Sequence, residues 1–369
     1  MKNPKITYSQ VGDNYDTKDP VKILAQTAAK KTGQNLLKHG FQEVSETRGE
    51  SAYVWKQGNI HMASVIEGLG TKNLIADGMR KITGKTYYDI IGHDTVATII
   101  NDLVSVGAKP LVLHAYWAVE NNDWLQDSTR MADLIHGFAS GCDIAGVSWG
   151  GGETPTLKGI IMPDTIDLGG AAIGIIDNEK KLITDNKLRS GDRILLLKSN
   201  GMNANGASLA RAVSEKLEKG YAAKLKNGVM YGDALLTKSN IYAKVVSDLL
   251  DNGIDIHYIS NITGHGLRKI MRANQEFSYV LEKIFEPQEL FIFLKENAGL
   301  TEKEMYETYN MGMDYAVFLP EENIEKAQAI VKQNGFESLD AGYVMMGKRQ
   351  VVIKSRDIIL EGESLQLKA

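Results

Sequence analysis

The sequence predicts an α+β chain of two domains, one over residues 1–176 and one over residues 177–369. Three observations predict it. The 369 residues suit two hydrophobic cores better than one. Apolar residues recur with strand and with helix periods in both halves, and many of the strand patterns suit antiparallel pairing. A polar stretch, Asp177-Asn178-Glu179-Lys180-Lys181, separates the halves. The first domain is expected to hold a mixed sheet and the second a sheet covered by helices.

The elements follow in order. Val21, Leu24, Ala25 and Ala28 fall at helical spacing, so a helix is expected over 21–38, with Gly40 as its stop. His61 to Ile66 is a short apolar run and reads as a buried strand. Val96, Ile99, Ile100, Leu103 and Val104 form one stripe of a helix over 96–106. A strand over 111–118, a helix over 128–145 and a strand over 166–176 complete the half. The last is rich in Gly and Ala, so another element is expected close against it. In the second half the patterns give strands at 193–197, 277–284, 314–319 and 342–353. Helices are expected at 206–217, 234–252, 287–296 and 322–334.

Composition narrows the function. The formal net charge is -4, so there is no basic field for nucleic acid. No apolar run approaches the roughly 20 residues that span a bilayer. Met1-Lys2-Asn3-Pro4-Lys5 leads into no apolar signal core. Cys142 is the single cysteine, which rules out an intrachain disulfide and a thiolate metal cluster. A cytoplasmic protein is the expectation.

Chemistry concentrates in glycine-rich, acidic segments. Glu67-Gly68-Leu69-Gly70-Thr71-Lys72 reads either as a tight strand-to-helix turn or as a loop with Lys72 on a phosphate and Glu67 on Mg²⁺. Asp94 reads as the cap of a helix starting at Thr95 or as a metal ligand. Asp102 lies about two turns further on, so both carboxylates can face one side. Asn101 stands beside it. Gly150-Gly151-Gly152-Glu153-Thr154 reads as a turn or as close-packed backbone carrying a further carboxylate. Asn203-Ala204-Asn205-Gly206 and Thr263-Gly264-His265-Gly266 are polar glycine loops, the first opening a helix that can bind an anion at its N-terminus. Gly84-Lys85-Thr86 mimics the end of a P-loop, but Met79 stands where that motif needs glycine.

In this order the segments resemble the aminoimidazole ribonucleotide synthetase (phosphoribosylformylglycinamidine cyclo-ligase) family. Asp102 to Pro110 carries the superfamily's D-x-x-x-x-G-A-x-P, and Gly151-Gly152-Glu153-Thr154 its G-G-E-T. Gly68 to Lys72 is similar to D-G-V-G-T-K, with Glu67 in place of Asp. Thr7-Tyr8, Asn205-Gly206 with Ser208-Leu209, Ile262-Thr263-Gly264 and Tyr309-Asn310-Met311-Gly312 are similar to further family motifs.

The resemblance implies ATP-dependent ring closure of formylglycinamidine ribonucleotide by a Mg²⁺-dependent homodimer, joined through its N-terminal sheets with ATP near the interface. It implies Gly68, Gly70, Thr71, Lys72, Asp94, Asn101, Gly151 and Gly152 for ATP, and Glu67, Asp94, Asp102 and Glu153 for the metal. It implies Asn203, Asn205, Gly206, Thr263, Gly264 and Asn310 for the substrate, with Lys72 catalytic.

The chain departs from the family at Asn203 and Asn261, where the family has histidines, and at His265, where it has glycine. Asn carries no proton at neutral pH, so His265 is the candidate substitute. The alternative is a divergent paralogue that binds ATP but acts on another substrate or only regulates. Selenophosphate synthetase fits less well, since its reactive Cys or selenocysteine lies near the N-terminus.

Overall fold

The computed structural model describes residues 5–6, 12 and 15–365; Thr7-Tyr8 lies outside them. Two sheets form, one in each half. The first has six strands, β1 (Gln42–Glu43), β2 (Tyr53–Gln57), β3 (Ile60–Gly68), β4 (Lys109–Val119), β5 (Ser148–Glu153) and β6 (Ile166–Ile176). Their order is β1-β2-β3-β6-β4-β5. Only β4 and β5 run parallel, so the sheet is mixed.

Four helices belong to this half: α1 (Tyr15–Lys30), α2 (Lys72–Thr83), α3 (Tyr88–Val104) and α4 (Ser128–Ala145). α3 lies on the sheet and α4 packs on α3. The Gly and Ala content of β6 is explained by this approach. A Cβ on Gly170 would stand 2.3 Å from the His114 carbonyl and 3.0 Å from Ile99 Cδ1 on α3, so only glycine lets the helix sit so low. The opposite face is left open. Ile66, Ala171 and His114 share one row across β3, β6 and β4, and Ile66 is 78% exposed.

The second sheet has seven strands: β7 (Arg193–Lys198), β8 (Tyr258–Asn261), β9 (Phe277–Leu281), β10 (Met313–Leu319), β11 (Ser338–Met346), β12 (Gln350–Ile353) and β13 (Ile358–Glu361). Their order is β13-β12-β9-β11-β7-β10-β8. Only β12 and β9 run parallel. Every residue of β10 is buried, as the apolar run Tyr315 to Leu319 demands for a strand covered on both faces; Asp314, near its start, is buried with it. The helices are α5 (Ala207–Lys216), α6 (Tyr231–Leu235), α7 (Ala243–Asp251), α8 (Glu289–Ala298), α9 (Glu302–Thr308) and α10 (Ile324–Gln333).

Several elements differ from expectation. The first helix ends at Lys30, and a separate 3₁₀ segment covers Gly33–His39. α3 begins at Tyr88, so Asp94 sits in mid-helix and caps nothing. Gly150 to Glu153 is not a turn but part of strand β5. The helix expected over 234–252 is two helices, α6 and α7, with residues 237–242 between them outside either. The strand expected over 342–353 is β11 and β12.

Candidate active site

The glycine loop after β3 and the buried helix α3 bring the first domain's polar residues to the second domain. Glu67 is on the row of Gly170 and Ala115, the face that α3 covers. It therefore meets Asp102, one turn from the end of α3. The two carboxylates share a cleft of about 200 Å³ between the domains. Its walls also carry Gly68, Thr98, Asn205 and Thr263, with Glu50 and Ser51 from the first domain. The cations are Lys22 from α1, and Lys269 and Arg272 from the 3₁₀ turn Gly266–Met271 and the residue after it.

Charge in the cleft is strongly coupled. Burial, and behind it the Asp102 carboxylate, push Glu67 up to about 7. Burial and the neighbouring Arg272 guanidinium pull Lys269 down to about 7, against the opposing attraction of Asp102 and Glu67. Two like-charged carboxylates so placed are relieved by a proton or a cation between them. Their hard oxygens on one wall fit Mg²⁺, which takes one or two protein carboxylates and completes its shell with water and phosphate.

The remaining predicted residues lie elsewhere. Lys72 and Asp94 are fully buried and paired, Nζ to Oδ2 at 2.5 Å. Lys72 Nζ also donates to the Thr237 carbonyl at 3.0 Å, and Asp94 Oδ1 accepts from the Ser239 N–H at 2.8 Å. Asn101 works the same way. Its Nδ2 donates to the Asn240 carbonyl and its Oδ1 accepts from the Tyr242 N–H. Side chains of α2 and α3 thus take up backbone groups of residues 237–242, Lys72 at Thr237 and His93, Asp94 and Asn101 at Ser239, Asn240 and Tyr242, which is why that segment does not continue the helix. Asp94 and Asp102 share a helix but face different partners, and only Asp102 reaches the cleft.

Glu153, Gly151 and Gly152 lie exposed on β5, the edge strand, with β6 and β4 between them and Glu67. A Cβ on Gly152 would stand 2.1 Å from the Ala115 carbonyl, so its glycine serves the β4–β5 pairing. Within one chain, then, Glu67 and Asp102 come together, and Asp94 and Glu153 do not join them. Among the described residues no group of three or more His, Cys, Asp or Glu could hold a metal.

Gly70 takes a left-handed φ of 73°, and Thr71 Oγ1 meets Ser208 Oγ across the domains at 3.0 Å. Gly206 also has positive φ, and a Cβ there would stand 2.2 Å from the Tyr309 ring. Asn203 donates from Nδ2 to Asp314 at 3.3 Å. Asn310 is buried and ties Gly201 and Gly312 together, so both its polar ends serve the loop. Asn261 is buried and donates to Asp102 Oδ1 at 2.8 Å, orienting that carboxylate. Gly264 is buried behind Thr263. His265 is 3% exposed and sits 3.1 Å from Asp19 of α1. Burial, helped by Lys269, Arg268 and Lys22, pulls it down to about 2, so its imidazole is neutral.

Sequence reasoning missed Lys22, Lys269 and Arg272. The run Arg268-Lys269-Ile270-Met271-Arg272, directly after a polar glycine loop, was the available signal for the last two. Arg272 is largely committed to its own chain, donating to Ser51 Oγ and the Gly49 carbonyl, each at 2.8 Å.

Comparison with known proteins gives the family. The family models of the AIR synthase related protein match in both parts, the N-terminal domain at residues 49–176 and the C-terminal domain at residues 189–355. The phosphoribosylformylglycinamidine cyclo-ligase of Methanothermobacter thermautotrophicus is 31% identical over 328 residues, 88% of this chain and 91% of that one. The one from Thermococcus kodakarensis is 33% identical over 347 residues, 92% and 96% of the two chains. Among solved structures, a HypE–HypF complex superposes with a TM-score of 0.58 at 20% identity, covering 82% of this chain and 89% of that one. Thermotoga maritima PurL complexed with ADP gives 0.55 at 14% identity, covering 87% and 46%. These two likenesses are of fold. The chain belongs to the AIR synthase related family.

Proposed function

We propose that the protein closes the imidazole ring of formylglycinamidine ribonucleotide in purine biosynthesis, using ATP. The formyl-amide oxygen attacks the γ-phosphorus of ATP and ADP leaves. The amidine nitrogen then attacks the activated carbon, the C–O bond breaks, and inorganic phosphate departs with the oxygen. The observation that carries this reading is the interdomain cleft, lined by two carboxylates together with Lys22 and Lys269, in a chain 31% and 33% identical to two cyclo-ligases over most of its length.

The chain's own groups have distinct tasks. Glu67 and Asp102 are the candidate holders of Mg²⁺, which when bound neutralises phosphate charge. Asn261 fixes Asp102 for that task. Lys269 offsets charge on the transferring phosphoryl group. Thr263, Gly264, Asn203 and Asn205 bound the ribonucleotide, and Gly206 and Asn310 hold their loops in shape. Lys72 and Asp94 position α3 and the glycine loop, with Gly68, Gly70 and Thr71, against the second domain. His265, neutral and turned to Asp19, leaves proton transfer to other groups.

We further infer a homodimer joined through the open face of the first sheet. Ile66 and Tyr116 give that face its apolar surface. Gly151, Gly152 and Glu153 on the neighbouring edge strand would then approach ATP across the interface. No helix is long and apolar enough to cross a membrane among the described residues, and the single buried Cys142 suits a reducing cytoplasm. The test is turnover by the purified protein with formylglycinamidine ribonucleotide, ATP and Mg²⁺. ADP and diazotisable aminoimidazole product in equal amounts are expected. ADP without the aminoimidazole would assign another substrate.

A further inference from the structure

α1 is the least embedded helix of the fold. Val21 and Leu24 are 62% and 70% exposed. Asp19 is its one buried side chain among the described residues. That carboxylate accepts from His265 Nε2 at 3.1 Å. His265 lies in the same loop as Thr263, which lines the cleft, and at a left-handed φ of 73° its ring meets α1 at Asp19. One turn beyond Asp19 is Lys22, and one turn beyond that is Gln26; both line the cleft. This buried contact helps fix where α1 crosses the cleft and where Lys22 stands.

The charge layout says what Lys22 meets. Glu67 and Asp102 make one wall acidic. Arg272 is spent on Ser51 and Gly49. Lys22 is half-exposed and only 3.5 Å from Asp19 in a loose ion pair, so it can turn to an incoming anion at little cost.

We propose that α1 is a lid on the substrate cleft, latched by His265 and Asp19, and that it brings Lys22 onto the 5′-phosphate of the ribonucleotide. This rests on the cyclo-ligase reading above. Lys22 is the binding residue, and His265 and Asp19 are positioning residues that act through it.

The experiment uses the whole enzyme. His265→Gly deletes the latch at a backbone angle glycine prefers, Lys22→Met deletes the charge, and Asp19→Asn keeps an acceptor for Nε2–H. Each is measured for KM of ribonucleotide and of ATP, for kcat, and for amide exchange of residues 17–30. His265→Gly should speed α1 exchange and raise the ribonucleotide KM about tenfold, the scale of one charge-assisted contact, with kcat and the KM for ATP unchanged. Lys22→Met should raise the same KM without altering exchange. The difference should vanish with substrate lacking its 5′-phosphate. Asp19→Asn should stay near wild type.

Faster exchange at an unchanged ribonucleotide KM would overturn the lid, and a KM effect confined to ATP would overturn the assignment to the 5′-phosphate. If wild type gives no turnover, the cyclo-ligase reading fails by itself. The lid then stands on slowed α1 exchange in wild type with added ribonucleotide, and falls if exchange is unchanged.

Discussion

Replacing Asp94 with alanine should break the contact between the two domains. In the wild type Lys72 Nζ is fully buried, with Asp94 and the Thr237 carbonyl as its partners. Asp94→Ala leaves that cation with one carbonyl and also strands the Ser239 N–H. Removing one member of a buried pair costs about 3–5 kcal/mol. For a chain of this size that lowers Tm by roughly 6–10 °C, at about 2 °C per kcal/mol. Lys72→Met should cost a similar amount by stranding the carboxylate.

The double variant Lys72→Met/Asp94→Leu should recover most of the loss, because no buried charge is left unpaired, giving a coupling of roughly 2 kcal/mol or more. The assay is thermal unfolding by calorimetry and by tryptophan fluorescence. All four tryptophans, Trp55, Trp117, Trp124 and Trp149, are in the first domain, so fluorescence reports that domain alone. In Asp94→Ala the fluorescence transition should separate from the calorimetric one. A Tm within a degree or so of wild type, or additive losses in the double variant, would refute the role given to this pair.

Other consequences can be checked by simpler means. Burial pushes Asp314 up to about 6, so the folded state holds its proton where the unfolded chain has lost it. Stability from this group is full below about 4 and falls as pH rises through 6, by on the order of 3 kcal/mol. Asp314→Asn should flatten the Tm-against-pH curve between pH 4 and 7, and an unchanged slope contradicts the assignment. Gly206→Ala pushes a Cβ into the Tyr309 ring at positive φ and should cost about 1–3 kcal/mol by urea unfolding; no loss would mean the loop repacks freely. Asp102→Asn should raise the Mg²⁺ concentration for half-maximal rate by roughly tenfold or more, as loss of a charged ligand predicts. An unchanged Mg²⁺ titration would remove Asp102 from the metal site.

Much of the fold was legible because several elements obey one period throughout. Ser128–Ala145 and Ile166–Ile176 form with the expected bounds. The periodicity failed where tertiary contacts decide. The pattern places the start of α3 at Val96 because its earlier turns carry His93 and Asp94, polar residues that are buried because Ser239 of the second domain and, for Asp94, Lys72 supply their partners. The glycines of β5 read as a turn or as close-packed backbone because three glycines have little strand preference, yet pairing with β4 makes the segment a strand, and its Gly152 is indeed closely packed. The break at 237–242 was invisible for the same reason as α3, since its backbone partners are side chains over a hundred residues away.

The candidate site was legible in part. Glu67, Asp102, Asn205 and Thr263 were read from glycine-rich motifs and do line the cleft. Lys72 and Asp94 carry the same motif signal but form an internal ion pair, and spacing cannot tell a cleft from an interface. Lys22 lies on a helix whose pattern says only that it is amphipathic, and its place over the cleft depends on Asp19 meeting His265 across more than 240 residues.

The most direct test of the mechanism follows the oxygen. Formylglycinamidine ribonucleotide labelled with ¹⁸O in the formyl-amide group would be turned over with unlabelled ATP and Mg²⁺, and the released phosphate analysed by mass spectrometry. The account predicts one labelled oxygen in each phosphate, with ADP and aminoimidazole ribonucleotide formed one to one. Phosphate free of label would contradict phosphorylation of that oxygen, and with it the chemistry assigned to the cleft.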